Sequence, residues 1–429
     1  MTGITPPQDT EIAVIGAGIV GLSIALRLAR SGRTVAVIAP ADRGDGASYG
    51  NAGVIADYAV LPIGTPAVLR ALPSLLFDAT SPLSIRRAAL PTLAPWLIRF
   101  VRQSMPERAR HNAAAIAALL STAAADWRTL AADIDATHLL RARGALYLYE
   151  TAQALRAAQA DLAWRRSLGV RVDLIGSDAL RQLEPGLPPG FAEGAAFFPD
   201  AVSVLDPGRI LAHLEVAARG AGVIRCLAAA TDLRRRTGGV EVLTDAGPVR
   251  ARRAVIAAGA WSRTLARAAG DAIPLDTERG YHIEFDTGAA PVSRPVTPAA
   301  RGYYFSPMHG RLRVAGTVEL GGLNAPPSPH RLALLESGAR AVFPGLPAPD
   351  RRWMGFRPSM PDSLPVIGPS RGGPDVLMAF GHGHLGLTLA AVTARIIADL
   401  VAGRPPHLSL GPYAPGRFGH PLALHRPLA

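Results

Sequence analysis

The chain contains no lysine: all 45 of its basic residues are arginine, and with 33 acidic residues they give a formal net charge of +12. These arginines are scattered, without a basic stripe interleaved with aromatics. The excess charge therefore reads as a composition bias, alongside abundant Ala, Gly and Pro, and no nucleic-acid partner is expected. Cysteine is nearly absent as well. The single Cys226 excludes an intramolecular disulfide and any all-cysteine metal or iron–sulfur centre, suits a reducing compartment, and reads as a small buried hydrophobe. No uncharged apolar run reaches the length of a membrane span, and the amino terminus "MTGITPPQDTE" has no basic segment followed by an apolar core. A cytoplasmic protein is the expectation.

What is present is enough apolar material for a large core. At 429 residues and 49% hydrophobic, the chain suits two packed domains or one large discontinuous one. "EIAVIGAGIVGLSIALRLARSGRTVAVIA" predicts a strand, a tight glycine turn, a helix and a second strand, because a β-branched run at 12 to 15 is followed by Leu22, Ala25, Leu26 and Leu28 at helical spacing. Residues 66 to 135 switch to Ala/Leu-rich helical patterning broken by prolines, which predicts several short helices ending in a longer one over 108–133. Strands are expected at 141–150, 223–228, 239–244 and 253–257. Segments 279–287, 301–307 and 311–317 predict a separate antiparallel sheet. "VLMAFGHGHLGLTLAAVTARIIADLVAG" predicts a last strand, a glycine-rich turn and a helix.

Gly16, Gly18 and Gly21 form G-x-G-x-x-G between a strand and a helix. In that context the first glycine makes the tight turn, the second lets pyrophosphate approach, and the third packs helix on sheet, with Ile19 and Val20 opening the helix toward the phosphates. The acid that normally binds the adenosine ribose is expected at the end of the second strand, where this chain has Ala39. Two readings stay open on these residues: NADP, with Arg43 taking the 2′-phosphate, and FAD held through other contacts, such as backbone at Pro40 to Asp42 or the Asp42 carboxylate.

Further segments carry a resemblance over nearly the whole chain to the FAD-dependent amine oxidoreductases that include D-amino acid dehydrogenases and glycine or sarcosine oxidases. They are "GASYGNAGVI", "AVIAAGAWS", "FRPSMPDSLPVIG" and "GHGHLGLTLA", and their order is most similar to that of bacterial D-amino acid dehydrogenases. The resemblance implies an α/β fold with a discontinuous Rossmann-like FAD-binding domain (9–60, 200–275 and 348–405). It also implies a substrate domain on an antiparallel sheet with a helical insert (61–199 and 276–347), and an extended tail (406–429). It implies non-covalent FAD contacted by Ser48, Asn51, Ala52, Gly53 and Val54, by Ala258, Gly259 and Trp261, and by Gly383, His384, Leu385, Gly386 and Thr388. Independently of any resemblance, glycines 381, 383 and 386 before a helix make a nest of amides that would stabilise negative charge on a reduced flavin.

An amino acid substrate presents a carboxylate, which a planar guanidinium binds bidentately. The resemblance assigns that role to Arg357. Tyr281 and Tyr304 are candidates to donate to the carboxylate or line the pocket, and since Tyr303 and Tyr304 must point to opposite faces of a strand, Tyr304 is preferred. His382 is expected to contact flavin or pocket, whereas His384 stands where the family commonly has a small or hydroxylated residue. Two histidines without Asp, Glu or Cys at ligand spacing do not make a metal site. The implied reaction is hydride transfer from Cα of a neutral amine to flavin N5, needing no strong base, with D-amino acids or imino acids such as D-proline or hydroxy-D-proline as substrates and a quinone, another carrier or oxygen as acceptor. The proline-broken helices at 66–104, with Arg86, Arg87, Arg99 and Arg102, read either as a packed insert or as a peripheral contact with an anionic membrane. A partner flavoprotein subunit of a hetero-oligomeric amine dehydrogenase and an NADP-dependent oxidoreductase are the alternatives.

Overall fold

The β-branched residues at 12 to 15 lie in the strand Asp9–Ile15, whose alternate side chains bury on both faces of a sheet. The structure, a computed structural model, describes residues 9–40, 46–78 and 81–418. Asp9–Ile15 runs parallel to Val35–Ala39 on one side and to Val249–Ile256 on the other, and Ile224–Leu227 extends the sheet beyond Val35–Ala39. The strand Val249–Ile256 divides its second edge. Its first half pairs antiparallel with Gly239–Thr244, while Ala254 to Ile256 pair parallel with Gly373–Phe380. The helices Ile19–Arg30 and Gly386–Val401 pack together on one face of this sheet, over a core that includes Ile24, Leu28, Ile396 and Ile397. Gly383–Val401 is long and apolar enough to cross a membrane, yet most of it is buried between the sheet and its neighbouring helices, so it serves as the core helix.

The second sheet has the order Arg351–Ser359, Asp276–Asp286, Arg311–Leu320, Tyr303–Met308, Val296–Pro298, Ala145–Tyr149, Gly194–Phe198 and Asp173–Gly176. It is antiparallel except where Val296–Pro298 meets Ala145–Tyr149 and where Leu83–Ile85 joins Arg311–Leu320. The far face, with Ile283, Phe285, Phe305 and Val314, is closed by the helix Pro329–Val342 through Leu335 and Ala339. The near face looks toward the glycine turns of the first sheet.

Three expectations are corrected. The single helix over 108–133 is two, Pro106–Leu120 and Ala123–Asp133. The break falls at Ser121, whose hydroxyl bonds back to Ala118 O, and at Thr122, whose hydroxyl accepts from Arg395 of the core helix. The strand expected over 141–150 is interrupted at Gly144, which adopts φ +75°, giving Leu140–Arg141 in a small three-stranded sheet and Ala145–Tyr149 in the large one. The strand Arg351–Ser359 belongs to the second sheet, in continuous register with Asp276 to Glu284. The crossover back to the nucleotide unit therefore comes after Ser359 rather than near 348.

Candidate active site

The first glycine turn is packed so tightly that two of its positions admit only glycine. Gly16 has φ +115°, and a Cβ there would stand 2.3 Å from Ala257 O; one on Gly21 would stand 2.1 Å from Gly16 O. This density brings Ala258 and Gly259, at the end of the neighbouring strand, beside the turn. The Ser48 hydroxyl accepts from Ile19 N at 3.0 Å and so sits at the amino terminus of the helix. The first-turn amides of Val20 and Gly21 have no intrahelical acceptor, which is the arrangement that binds a pyrophosphate. Asp42 and Arg43 lie outside the described residues.

The loop that follows Ser48 is stitched by its own side chains and by the core helix. Asn51 Nδ2 donates to Ser48 O at 2.6 Å, and Gly53 N donates to Asn51 Oδ1 at 2.7 Å. The Thr388 hydroxyl accepts from Ala56 N at 3.1 Å and donates to Val54 O at 3.4 Å. Thr388 thus joins the loop Ala52–Val54 to the turn Gly383–Leu385, which opens the core helix at Gly386. His382 points into the core rather than toward a pocket. Its Nε2 lies 3.0 Å from the Thr393 hydroxyl, and burial lowers its pKa to about 4, so the ring is neutral and braces the turn.

On the near face of the second sheet the strand Asp276–Asp286 presents Glu278, Gly280, His282 and Glu284. Arg357, the register partner of Glu278, lies over Gly280 and donates to Thr317 O at 2.9 Å. Among the described residues no carboxylate lies within ion-pair distance of this guanidinium, and burial draws its pKa down against the pull of Glu278 and Tyr304. Tyr304 shares the near face with His282 through their common partner Ala315, and its hydroxyl is 3.0 Å from that of Tyr147. Tyr303 points to the far face. So does Tyr281: its phenol donates to the buried Glu319 and accepts from Ser328 N at 3.1 Å, which removes it from Arg357 and from the glycine turns. Trp261 packs edge-on against Phe356, which points away from Arg357, and is 57% exposed. Neither residue is brought to the site with the others.

Arg313, Glu278 and Glu284 are near-face residues that the sequence does not single out, whereas His282 is, with His382 and His384, a candidate acid–base group there. Arg313 donates to Tyr49 O at 3.0 Å and Asn51 O at 2.7 Å while its Nε bonds Glu284 at 2.7 Å. His282 Nδ1 donates to Gly50 O at 3.0 Å, with its ring stacked on Trp353; burial and Arg313 hold its pKa well below the usual value. The sheet thus clamps the loop 49–51 from below. His384 bonds Glu278 at 2.7 Å, joining the second glycine turn to the strand beside Arg357. For Glu278, His282 and Glu284 the signal is the alternation of polar side chains in "TERGYHIEF", one face of an otherwise buried strand. A surface cavity of about 820 Å³, lined by Arg30, Asp133, His213 and Val216 among others, contains none of the residues named above.

Residues 11–400 match the family described as FAD dependent oxidoreductase (DAO). The chain is 36% identical over 423 residues to a D-amino-acid oxidase from Bradyrhizobium diazoefficiens, covering 96% of this chain and 100% of that one. It is 33% identical over 429 residues to D-amino acid dehydrogenase 2 from Ralstonia nicotianae, covering 95% and 100%. In fold it is similar to the crystal structure of glycine oxidase from Geobacillus kaustophilus, with a TM-score of 0.73 at 23% identity over 96% of this chain and 99% of that one. With its glycine turns, amide nests and mixed α/β architecture accounted for, the chain belongs to the DAO family of FAD-dependent oxidoreductases.

Proposed function

We propose that this enzyme oxidises D-amino acids, including cyclic imino acids of the D-proline type, to the corresponding imines. The observation that carries the reading is Arg357, a half-buried guanidinium with no carboxylate in ion-pair distance among the described residues, in register with Glu278, which bonds His384 of the second glycine turn. A half-buried arginine with unused donors is suited to bind a ligand carboxylate in a fork. The residues present fit FAD: the collision-tight Gly16 and Gly21 cradle, the open amides of the first helix, and the glycine nest at 381–386 are suited to its pyrophosphate and ring.

Bound FAD supplies the hydride acceptor. The chain's own residues hold the substrate: Arg357 takes the carboxylate, and Tyr304, backed by Tyr147, presents a phenol on the same wall. The clamp of Arg313, Glu284 and His282 keeps the loop 49–51 in register with that wall, so that orientation rather than a strong base supports the reaction. Ser48, Asn51 to Val54, Ala258, Gly259 and the Gly383–Thr388 turn are the proposed cofactor contacts. We assign the electron acceptor to a quinone or another carrier, and the cell location to the cytoplasm with peripheral membrane contact. The helix Leu90–Gln103 supports that contact by exposing Leu90, Ile98 and Val101 beside Arg99 and Arg102.

The test is anaerobic mixing of the yellow enzyme with a panel of D- and L-amino acids, followed by turnover with a quinone, a dye or oxygen. Bleaching of the flavin by D-amino or D-imino acids supports the reading. A flavin that no amino acid bleaches overturns it and favours a partner-subunit role.

A further inference from the structure

His384 is the middle residue of the Gly383–Leu385 turn, and its Nε2 lies 2.7 Å from Oε2 of Glu278. Glu278 is 3% exposed. Burial raises its pKa, but His384, Arg357 and Ser359 more than offset this, so the carboxyl lies below its ordinary value and is ionised. An ionised carboxylate only accepts hydrogen bonds, so Nε2 is the nitrogen that donates to Glu278, which leaves Nδ1 as the position able to take up a proton. Among the described residues Nδ1 has no partner, and the side chain is 39% exposed. The charged groups facing the ring are Glu278, from Asp276–Asp286, and Arg357, from the adjacent strand Arg351–Ser359.

Arg357 is the register partner of Glu278, and Glu278 bonds His384, so the ring stands close to the proposed carboxylate anchor, and the amino nitrogen of an amino acid is only two bonds from its carboxylate carbon. Amino acids arrive with this group protonated near neutral pH, and hydride can leave Cα only once the nitrogen lone pair is free to form the C=N bond. We propose that His384 Nδ1 accepts the proton from the substrate ammonium, and that Glu278 is the positioning residue that sets the ring's tautomer and balances its charge. In this step an N–H bond of the substrate breaks, its electron pair stays on the substrate nitrogen, and an N–H bond forms at Nδ1. Nothing is oxidised or reduced, and the proton passes to solvent from the exposed ring. The inference rests on the amino acid reading of the site.

The experiment is stopped-flow reduction of the holoenzyme by D-alanine and D-proline across pH, comparing wild type with His384→Asn and Glu278→Gln. His384→Asn is expected to slow reduction about 100-fold at neutral pH, to regain most of the rate at alkaline pH, where solvent deprotonates the amine, and to shift the acid limb of the profile upward. Glu278→Gln is expected to show a smaller loss with a shift in the same direction. Because the turn that carries His384 is among the proposed cofactor contacts, rates are taken per bound flavin; binding of benzoate, a carboxylate without an amine, stays at the wild-type level. If His384→Asn does not retain FAD, His384→Gln carries the comparison. An unchanged pH profile, or an equal loss at every pH, in an enzyme that oxidises amino acids overturns this proposal alone. A wild type that oxidises no amino acid overturns the parent reading and the proposal with it.

Discussion

The Arg357 guanidinium lies so close over Gly280 that a Cβ there would stand 2.4 Å from its Cζ. The missing side chain of one strand residue is thus the seat of the proposed carboxylate anchor. Gly280→Ala is expected to displace the guanidinium and raise KM roughly tenfold, the scale of a 1–2 kcal/mol overpacking penalty. Arg357→Ala should raise KM on the order of 100-fold or more. Steady-state kinetics beside the 450 nm flavin absorbance check both, and a loss of flavin in proportion to the loss of affinity would move Arg357 out of the substrate site.

Gly16→Ala combines a positive φ with overlap on Ala257 O, at a cost of about 3 kcal/mol concentrated where the pyrophosphate is expected. The expected outcome is protein purified largely without flavin. The flavin-to-protein ratio measures it.

Arg313 donates to Glu284 and to two carbonyls of the loop 49–51. Arg313→Met deprives all three acceptors, although Glu284 keeps Arg311. The loss is expected to be about 3 kcal/mol of stability, with faster release of FAD. Thermal unfolding and dilution-driven flavin dissociation report the two effects separately. An unchanged dissociation rate would show that the clamp serves folding alone.

His382 is neutral because burial lowers its pKa from 6.5 to about 4. Between those values the unfolded chain binds a proton that the folded chain refuses. Its contribution to stability is therefore fully present above pH 6.5 and is lost as pH falls toward 4, by at most about 3 kcal/mol. His282 acts with the same sign. Asp57, raised to about 6 chiefly by burial, acts oppositely, its contribution shrinking as pH rises from about 4 to 6. Chemical denaturation of wild type and His382→Gln at pH 5 and 7 isolates the contribution of His382, and an identical pH slope in both proteins would show that the ring charges freely in the fold.

Local chemistry was legible. The G-x-G-x-x-G turn needs only neighbours in sequence to be recognised, and the strand expected at 239–244 is Gly239–Thr244. The pairing of Tyr303 and Tyr304 on opposite faces also followed from strand geometry. Which face of that strand looks toward the glycine turns does not follow from alternation, so the sequence makes Tyr281 a pocket candidate whereas its phenol is committed to Glu319 on the far side. The break at Ser121–Thr122 was hidden for a related reason: helical periodicity runs through it, and the arginine that engages Thr122 comes from the last helix.

The sequence by itself determined the βαβ nucleotide unit, the apolar core helix and the residue type suited to hold a carboxylate, because each depends on contacts within a few residues or on the side chain's own chemistry. Only the tertiary structure decided which polar side chains meet. Glu278 and His384 are 106 residues apart, and Arg313 reaches a loop more than 260 residues before it. A hydrogen bond forms over about 3 Å whatever the separation along the chain, so its partners are chosen by the packing of one sheet against the other, which no local pattern encodes.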